Sequence, residues 1–274
     1  MRQHIDNFLE TLQRFYEEQG RHDMSWRQPQ PDGSFDPYKI LVSELMLQQT
    51  QVSRVEPKYA AFLRAFPTAG ALAGAPLGDV LVLWSGLGYN RRAKFLWQAA
   101  RYVTQVCGGD FPRTLAGLQR LPGVGPNTAG AIMAYAFNEP VIYVETNIRT
   151  VIIHHFFADA DSVTDAQIRD VLAAVVTGLG PREFYWAMMD YGAFLKKSVG
   201  NPNKLSASYT RQSAFHGSRR QLRGMVLRLL AERPHMGAEL LRALDDERAE
   251  GVLADLLKEE MILSDGGWYR LSGP

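Results

Sequence analysis

Cysteine is nearly missing from this chain: its 274 residues include one, Cys107. A single thiol excludes an internal disulfide framework, a cysteine-rich zinc site and a four-cysteine iron–sulfur cluster. It fits a reducing compartment, and Cys107 reads as a small, partly buried residue without a reactive role. Long apolar runs are missing too. No stretch reaches about 18 apolar residues, so no membrane span is expected. Met1 to Trp26 lacks the apolar core of a secretory leader. Nor is one sign of charge in surplus. Lys plus Arg total 30 and Asp plus Glu 29, a formal net charge of +1. Overall charge therefore announces no nucleic-acid partner, and that argument must be local.

Alternation of strand length is absent before residue 260, whereas helical periodicity is everywhere. Ile5, Phe8, Leu9, Leu12 and Phe15 share one face. Pro37 opens a run, Tyr38 to Val55, expected as one long helix. Further helices are expected over Lys58–Ala65, Thr68–Ala73, Gly78–Trp84, Arg91–Val106, Leu115–Leu121, Thr128–Phe137, Thr146–Phe157, Asp165–Leu179 and Glu183–Leu195. Gly and Pro punctuate them, as at Gly86-Leu87-Gly88, Gly108-Gly109 and Pro122-Gly123. The fold class is all-α.

Acidic residues vanish between Tyr191 and Ala231, where eight Lys/Arg stand: Lys196, Lys197, Lys204, Arg211, Arg219, Arg220, Arg223 and Arg228. The stretch is either a solvated tether or a segment that tracks phosphates. Beyond it, Arg220–Ala231, Ala238–Leu244 and Ala249–Glu260 read as helices. Met261–Ser264 and Trp268–Leu271 flank an Asp265-Gly266-Gly267 turn as a hairpin. Three helices and a hairpin make a small winged-helix-like domain, a DNA-binding module in some settings and a protein-docking one in others. The expected division is 1–195, a basic linker over 196–218, and 219–274.

Four motifs carry chemistry. Leu121-Pro122-Gly123-Val124-Gly125 sits between two helices, and its glycines let a tight hairpin approach a surface closely. The helix after it would aim backbone N–H groups at a phosphate. Gly123, Val124, Gly125 and Thr128 are thus candidate backbone-binding residues, against the alternative of a plain turn. Val144-Glu145-Thr146-Asn147 places a carboxylate at a helix start, where it could simply be an N-cap. Ser43-Glu44-Leu45-Met46-Leu47-Gln48-Gln49-Thr50 puts Glu44 among apolar residues, as a proton donor or half of an ion pair. Gln48, Gln49 and Thr50 suit pairing with base edges. Trp84-Ser85-Gly86-Leu87-Gly88-Tyr89-Asn90-Arg91-Arg92-Ala93-Lys94 joins a Gly-rich turn to an aromatic wedge or core residue, Tyr89, and three cations suited to phosphates, Arg91, Arg92 and Lys94. His154 and His155 are adjacent on a helix and point apart, so they read as structural, and no metal ligands are expected.

Together, from about Phe15 to Leu195, these residues resemble the helix-hairpin-helix DNA glycosylases, a superfamily that includes endonuclease III, the thymine mismatch glycosylases and the MutY adenine glycosylases. Asp36-Pro37-Tyr38 leading into Ser43 to Val52 is most similar to the MutY branch. The resemblance implies a two-lobed helical fold. It gives Glu44 the place of the general acid and Glu145 that of the aspartate that stabilises the sugar cation. It sets Asn147 in the catalytic pocket, and Gln49 and Tyr89 as wedges beside the orphaned base. Asn127 stands where lyase-type relatives carry a Schiff-base lysine, which implies a monofunctional enzyme.

Four departures go with it. Glu145 replaces an aspartate, the four cluster cysteines are absent, Asn90 stands where the family has the second Tyr of Gly-Tyr-Tyr, and the C-terminal tail is too short for the Nudix-like domain of MutY. The expectation is a monomeric, cytoplasmic (nucleoid-associated if bacterial) glycosylase that excises adenine opposite 8-oxoguanine or guanine in double-stranded DNA. It requires no cofactor and no iron–sulfur cluster, though the hairpin could hold a monovalent cation. Thymine or uracil opposite guanine, another lesion, or a non-catalytic DNA-binding protein are the competing readings.

Overall fold

The computed structural model describes residues 2–176, 180–209 and 215–273. Its helices are α1 (Arg2–Gln19), α2 (Pro37–Leu47), α3 (Val52–Ala65), α4 (Ala69–Gly74), α5 (Leu77–Trp84), α6 (Arg91–Val106), α7 (Leu115–Leu118), α8 (Pro126–Phe137), α9 (Thr146–Phe156), α10 (Asp165–Val175), α11 (Pro181–Ser198), α12 (Arg219–Glu232), α13 (Gly237–Leu244) and α14 (Ala249–Lys258). The strands β1 (His235–Met236), β2 (Ile262–Asp265) and β3 (Trp268–Leu271) form one small antiparallel sheet in the order β1-β3-β2. No described helix is long and apolar enough to cross a membrane.

The chain folds into two compact units. The first comprises Met1–Ile40, Arg113–Arg120 and Val124–Arg211. Its core joins Phe8, Leu12 and Phe15 of α1 to Ile148, Val151 and Ile152 of α9 and to Phe184, Met188 and Leu195 of α11. The α1 stripe is the one its periodicity specifies. Asp190 lies within this core, where Arg27 and Arg21 meet it with hydrogen bonds of 2.5–2.9 Å. Burial works to raise the Asp190 carboxyl, but the two arginines outweigh it and hold the group below its usual range.

The second unit comprises Leu41–Pro112, Leu121–Gly123 and Gln212–Pro274. Here α4 and α5 pack on α6 and α3 packs on α5, and α12 to α14 with the sheet form the winged helix, which packs through α12 on α5. Its edge also joins α5 directly: Gly78 N–H donates to Ser272 C=O at 2.5 Å, and a Cβ on Gly78 would lie 2.6 Å from that oxygen. Strand β1 was not foreseen, because two residues are too few to show alternation.

Side-chain caps start several helices, Thr68 for α4, Thr114 for α7 and Ser218 for α12, and Thr164 and Gln167 form a capping box at α10. The expected helix from Tyr38 to Val55 is instead broken. It stops at Leu47, turns through Gln49 at φ 54°, and restarts at Val52. The break has a partner distant in sequence. Arg92, 6% exposed, donates to the carbonyls of Leu45 and Gln48 (both 2.6 Å) and Met46 (3.0 Å). Carbonyls at a helix end have no partner within the helix, and Arg92 supplies one. The last residues of the expected helix Asp165–Leu179, and Arg211 of the basic stretch, lie outside the described residues.

Candidate active site

Glu44 is half-buried on α2 between buried Ser43 and Leu45. One turn later α2 ends, and the exposed side chains of Gln48 and Gln49 follow. Thr50 donates to Leu87 C=O at 3.3 Å, which ties this turn to the Gly-rich loop before α6. Tyr89 closes that loop at φ 47°. Gln49 and Tyr89 therefore both adopt the left-handed conformation that side chains disfavour. Arg92 accounts for both. It donates to Gln48 C=O and Gly88 C=O, the carbonyls just ahead of each strained residue, and to Thr50 Oγ1. Burial pushes the Arg92 guanidinium down to about 10, so it is still a cation at neutral pH.

This placement corrects the assignment of Arg92 to DNA phosphates. Its charge is spent on five backbone carbonyls and a hydroxyl of its own unit. The neighbouring cations make ion pairs with the winged helix: Arg91 with Glu259 at 2.6 Å and Lys94 with Glu260 at 3.1 Å. The Arg91 side chain is nonetheless 64% exposed. Sequence reasoning missed Arg220. It donates a hydrogen bond to the Tyr89 hydroxyl, and its guanidinium lies 4.7 Å from the Tyr89 ring centre. The one available signal was the run of cations without acids.

In the hairpin, Gly123 and Gly125 are exposed while the Val124 side chain is buried. Gly123 takes φ 78°, and a Cβ there would lie 2.6 Å from Phe95 Cβ, so no other residue fits. Helix α8 then begins with Pro126, which has no N–H, and its ladder starts at Ala129 N–H to Gly125 C=O. Thr128 is buried and Asn127 exposed.

In the first unit, Glu145 is the N-cap of α9. Its Oε2 accepts the Asn147 backbone N–H at 2.7 Å. The capping alternative thus describes the structure, and the cap bond also fixes the plane of the carboxylate. The Asn147 side chain turns Nδ2 to Met189 Sδ, and its Oδ1 is buried without a hydrogen-bond partner among the described residues. Helix α11 reaches this place because Gly192 carries no side chain; a Cβ would collide with the backbone carbonyl of Asn147. One turn on, Lys196 is near enough to Glu145 to feel its charge; burial pushes the Lys196 amine down, and Glu145 works the other way.

Part of the stretch read as a tether instead builds the first unit. Lys196–Ser198 complete α11. Asn203, 3% exposed, donates to Thr146 C=O (3.1 Å) and Thr150 Oγ1 (2.6 Å), both on α9. Leu205 C=O accepts the Val163 N–H, and Val163 C=O accepts the Ala207 N–H. A four-cysteine cluster would need thiolates at and after the end of α11, and the chain offers Lys196 in its last turn and Asn203 and Ser206 beyond it. Its single cysteine, Cys107, ends α6 in the second unit. The residues present do not fit that group.

Residues 42–175 match the family model described as "HhH-GPD superfamily base excision DNA repair protein". The adenine DNA glycosylase of Mycobacterium tuberculosis is 34% identical over 268 residues, which cover 88% of this chain and 86% of that one. That of Buchnera aphidicola is 34% identical over 192 residues, 69% of this chain and 52% of its own, so the chain spans about half the length of that relative. Among solved structures, a thermostable thymine-DNA glycosylase aligns with a TM-score of 0.61 and 25% identity, covering 76% of this chain and 97% of that one.

Proposed function

Because the chain belongs to the helix-hairpin-helix family of base excision DNA repair proteins, and within it to the adenine DNA glycosylases, we propose that it hydrolyses the N-glycosidic bond of adenine mispaired with guanine or 8-oxoguanine in duplex DNA. The observation that carries the reading is the start of α9, where a carboxylate oriented by its own cap bond stands two residues from a buried amide oxygen without a donor among the described residues. A buried acceptor of this kind calls for a donor, and the attacking water is one that the reaction supplies.

The target adenine leaves the stack and enters the protein. Glu44, in its apolar helix, gives a proton to the departing base. As the glycosidic bond breaks, its electron pair leaves with adenine and positive charge develops on the sugar. Glu145 stabilises that charge. Water adds at C1′, accepted by Asn147 Oδ1, and its surplus proton returns to Glu44. The product is free adenine and an abasic site. The hairpin at Gly123–Gly125 and the first turn of α8 grip a phosphate without reading sequence. With Asn127 in place of an amine, no Schiff base forms there, so strand cleavage requires added alkali.

Single-turnover assays on duplexes with adenine opposite 8-oxoguanine and opposite guanine test this. Glu44→Gln is expected to lose at least about 10²-fold in rate while keeping its affinity for the duplex. Excision at the wild-type rate by that variant would remove Glu44 from the mechanism. The likeness to a thymine-DNA glycosylase structure favours a second reading, thymine or uracil opposite guanine, and release of those bases but not adenine would establish it.

A further inference from the structure

Lys196, in the last turn of α11, is a cation to which the excision chemistry assigns no role. It lies one turn beyond Gly192, and residues four apart on a helix share a face. That face is pressed on the start of α9, where a Cβ on Gly192 would collide with the Asn147 backbone carbonyl. Lys196 is thereby carried to the same helix start, whose N-cap is Glu145. It is half-buried, and it makes no hydrogen bond or ion pair among the described residues. Its neighbour Lys197 is exposed instead.

We propose that Lys196 is a positioning residue for Glu145, its ammonium drawing the free oxygen of that carboxylate and holding the side chain in the orientation that the sugar cation needs. The inference rests on the glycosylase reading above and adds to it the group that aims its second carboxylate. Taking a lysine amine out of water without a bonded partner destabilises a fold, so stability alone does not account for it. Burial pushes this amine down, and the charge of Glu145 works against that. Attraction between opposite charges is mutual, so the ammonium acts on the carboxylate in turn.

The geometry of Glu145 shows why such a group is needed. Its Oε2 carries the cap bond, and its Oε1 carries none among the described residues. Glutamate has one more rotatable bond than the aspartate it replaces, so a single cap bond restrains it less. A misplacement of about 1 Å at a reacting centre can cost about a hundred-fold in rate. Two departures noted in the sequence, the longer acid and the lysine where a thiolate would stand, thus meet at one place. A lysine kept for phosphates would stand in solvent, as Lys197 does.

The test measures single-turnover adenine release and duplex affinity separately, with the full chain and adenine opposite 8-oxoguanine. Lys196→Met keeps the stem and removes the charge. We expect release to slow by about ten-fold, affinity to stay nearly constant, and the melting temperature to hold or rise, because an apolar group replaces a desolvated cation. Lys196→Arg should restore most of the rate. In a Glu145→Asp background the acid is shorter and better restrained, so Lys196→Met should slow release by less than about three-fold. The same loss in both backgrounds would overturn the proposal. So would a loss confined to affinity with a salt slope shallower by about one, which marks a phosphate contact, or a melting temperature that falls with the rate, which marks a structural role. No release of adenine by the wild type would instead overturn the glycosylase reading itself.

Discussion

The His155 ring is half-buried against Phe8 and Tyr191, with His4 and His154 as its titratable neighbours and its Nε2 3.0 Å from the Tyr191 hydroxyl. Burial first, then the charges of His154 and His4, push it down to about 4 from an ordinary 6.5. The sign follows from linkage. The unfolded chain takes up the proton below pH 6.5 and the folded one does not until about 4. The ring's contribution is therefore complete above 6.5 and lost as pH falls towards 4. Because the half-exposed ring is screened by solvent, the span corresponds to well below about 3 kcal/mol, on the order of 1. Urea melts between pH 7 and 4 should show that slope, and His155→Phe should flatten it; an equal slope in the variant would place the pH dependence elsewhere. The expectation that His154 and His155 point apart does not hold: the two rings meet edge to face with centroids 4.9 Å apart, which is why His155 feels the charge of His154. Arg92 was not legible. Its neighbours Arg91 and Lys94 made it look like one of three surface cations, and only the fold reveals that it faces the end of a helix 45 residues earlier in the chain. Glu44 was legible because an acid flanked by Ser43, Leu45 and Met46 breaks an otherwise apolar helix. The Arg220–Tyr89 pair was not, because no local pattern links residues so far apart in sequence.

Most helices were legible from period and caps, and α6 begins and ends where its pattern does. What was lost were the ends that tertiary contacts set: α2 stops for Arg92, and α11 runs on to Ser198 where composition suggested a tether. The element that most concerns the chemistry is α9, which carries Glu145 and Asn147. Helix α11 packs on one side through Gly192, and the short turn Pro202–Leu205 braces it through Asn203. Asn203→Ala removes donors from the buried Thr150 hydroxyl and the part-buried Thr146 carbonyl on α9, a loss of about 1–3 kcal/mol. We expect a lower urea midpoint, faster amide exchange along α9 and slower adenine release. A change in stability without any change in exchange along α9 would show that the brace holds something other than this helix.

On the scale of the whole chain, the winged helix is the part whose role sequence left most open, between binding DNA and docking on protein. Its third helix settles how it is held. Residues Glu250, Asp255 and Glu259 make α14 and its end acidic, which does not suit phosphates. Two of those acids face arginines of the same unit instead: Asp255 meets Arg219 at 2.7 Å, and Glu259 meets both Arg91 of α6 and Arg223 of α12 at 2.6 Å. Burial raises the Glu259 carboxyl, but the two arginines outweigh it and leave it below its usual range. Glu259 thus joins α6, which follows the Gly-rich loop, to α12. Glu259→Gln leaves both cations facing a neutral amide. A partly buried bridge of this kind lies between the exposed and buried cases, so a loss of about 2 kcal/mol is expected. The variant should also exchange amides faster over residues 219–273 at neutral pH, because the bridge holds α12 on α6. Added salt should reproduce part of that effect in the wild type, since Arg91 is open to screening. If Glu259→Gln instead kept wild-type exchange, the docking would rest on the Gly78–Ser272 contact and the α5–α12 packing, with the ion pairs as passengers.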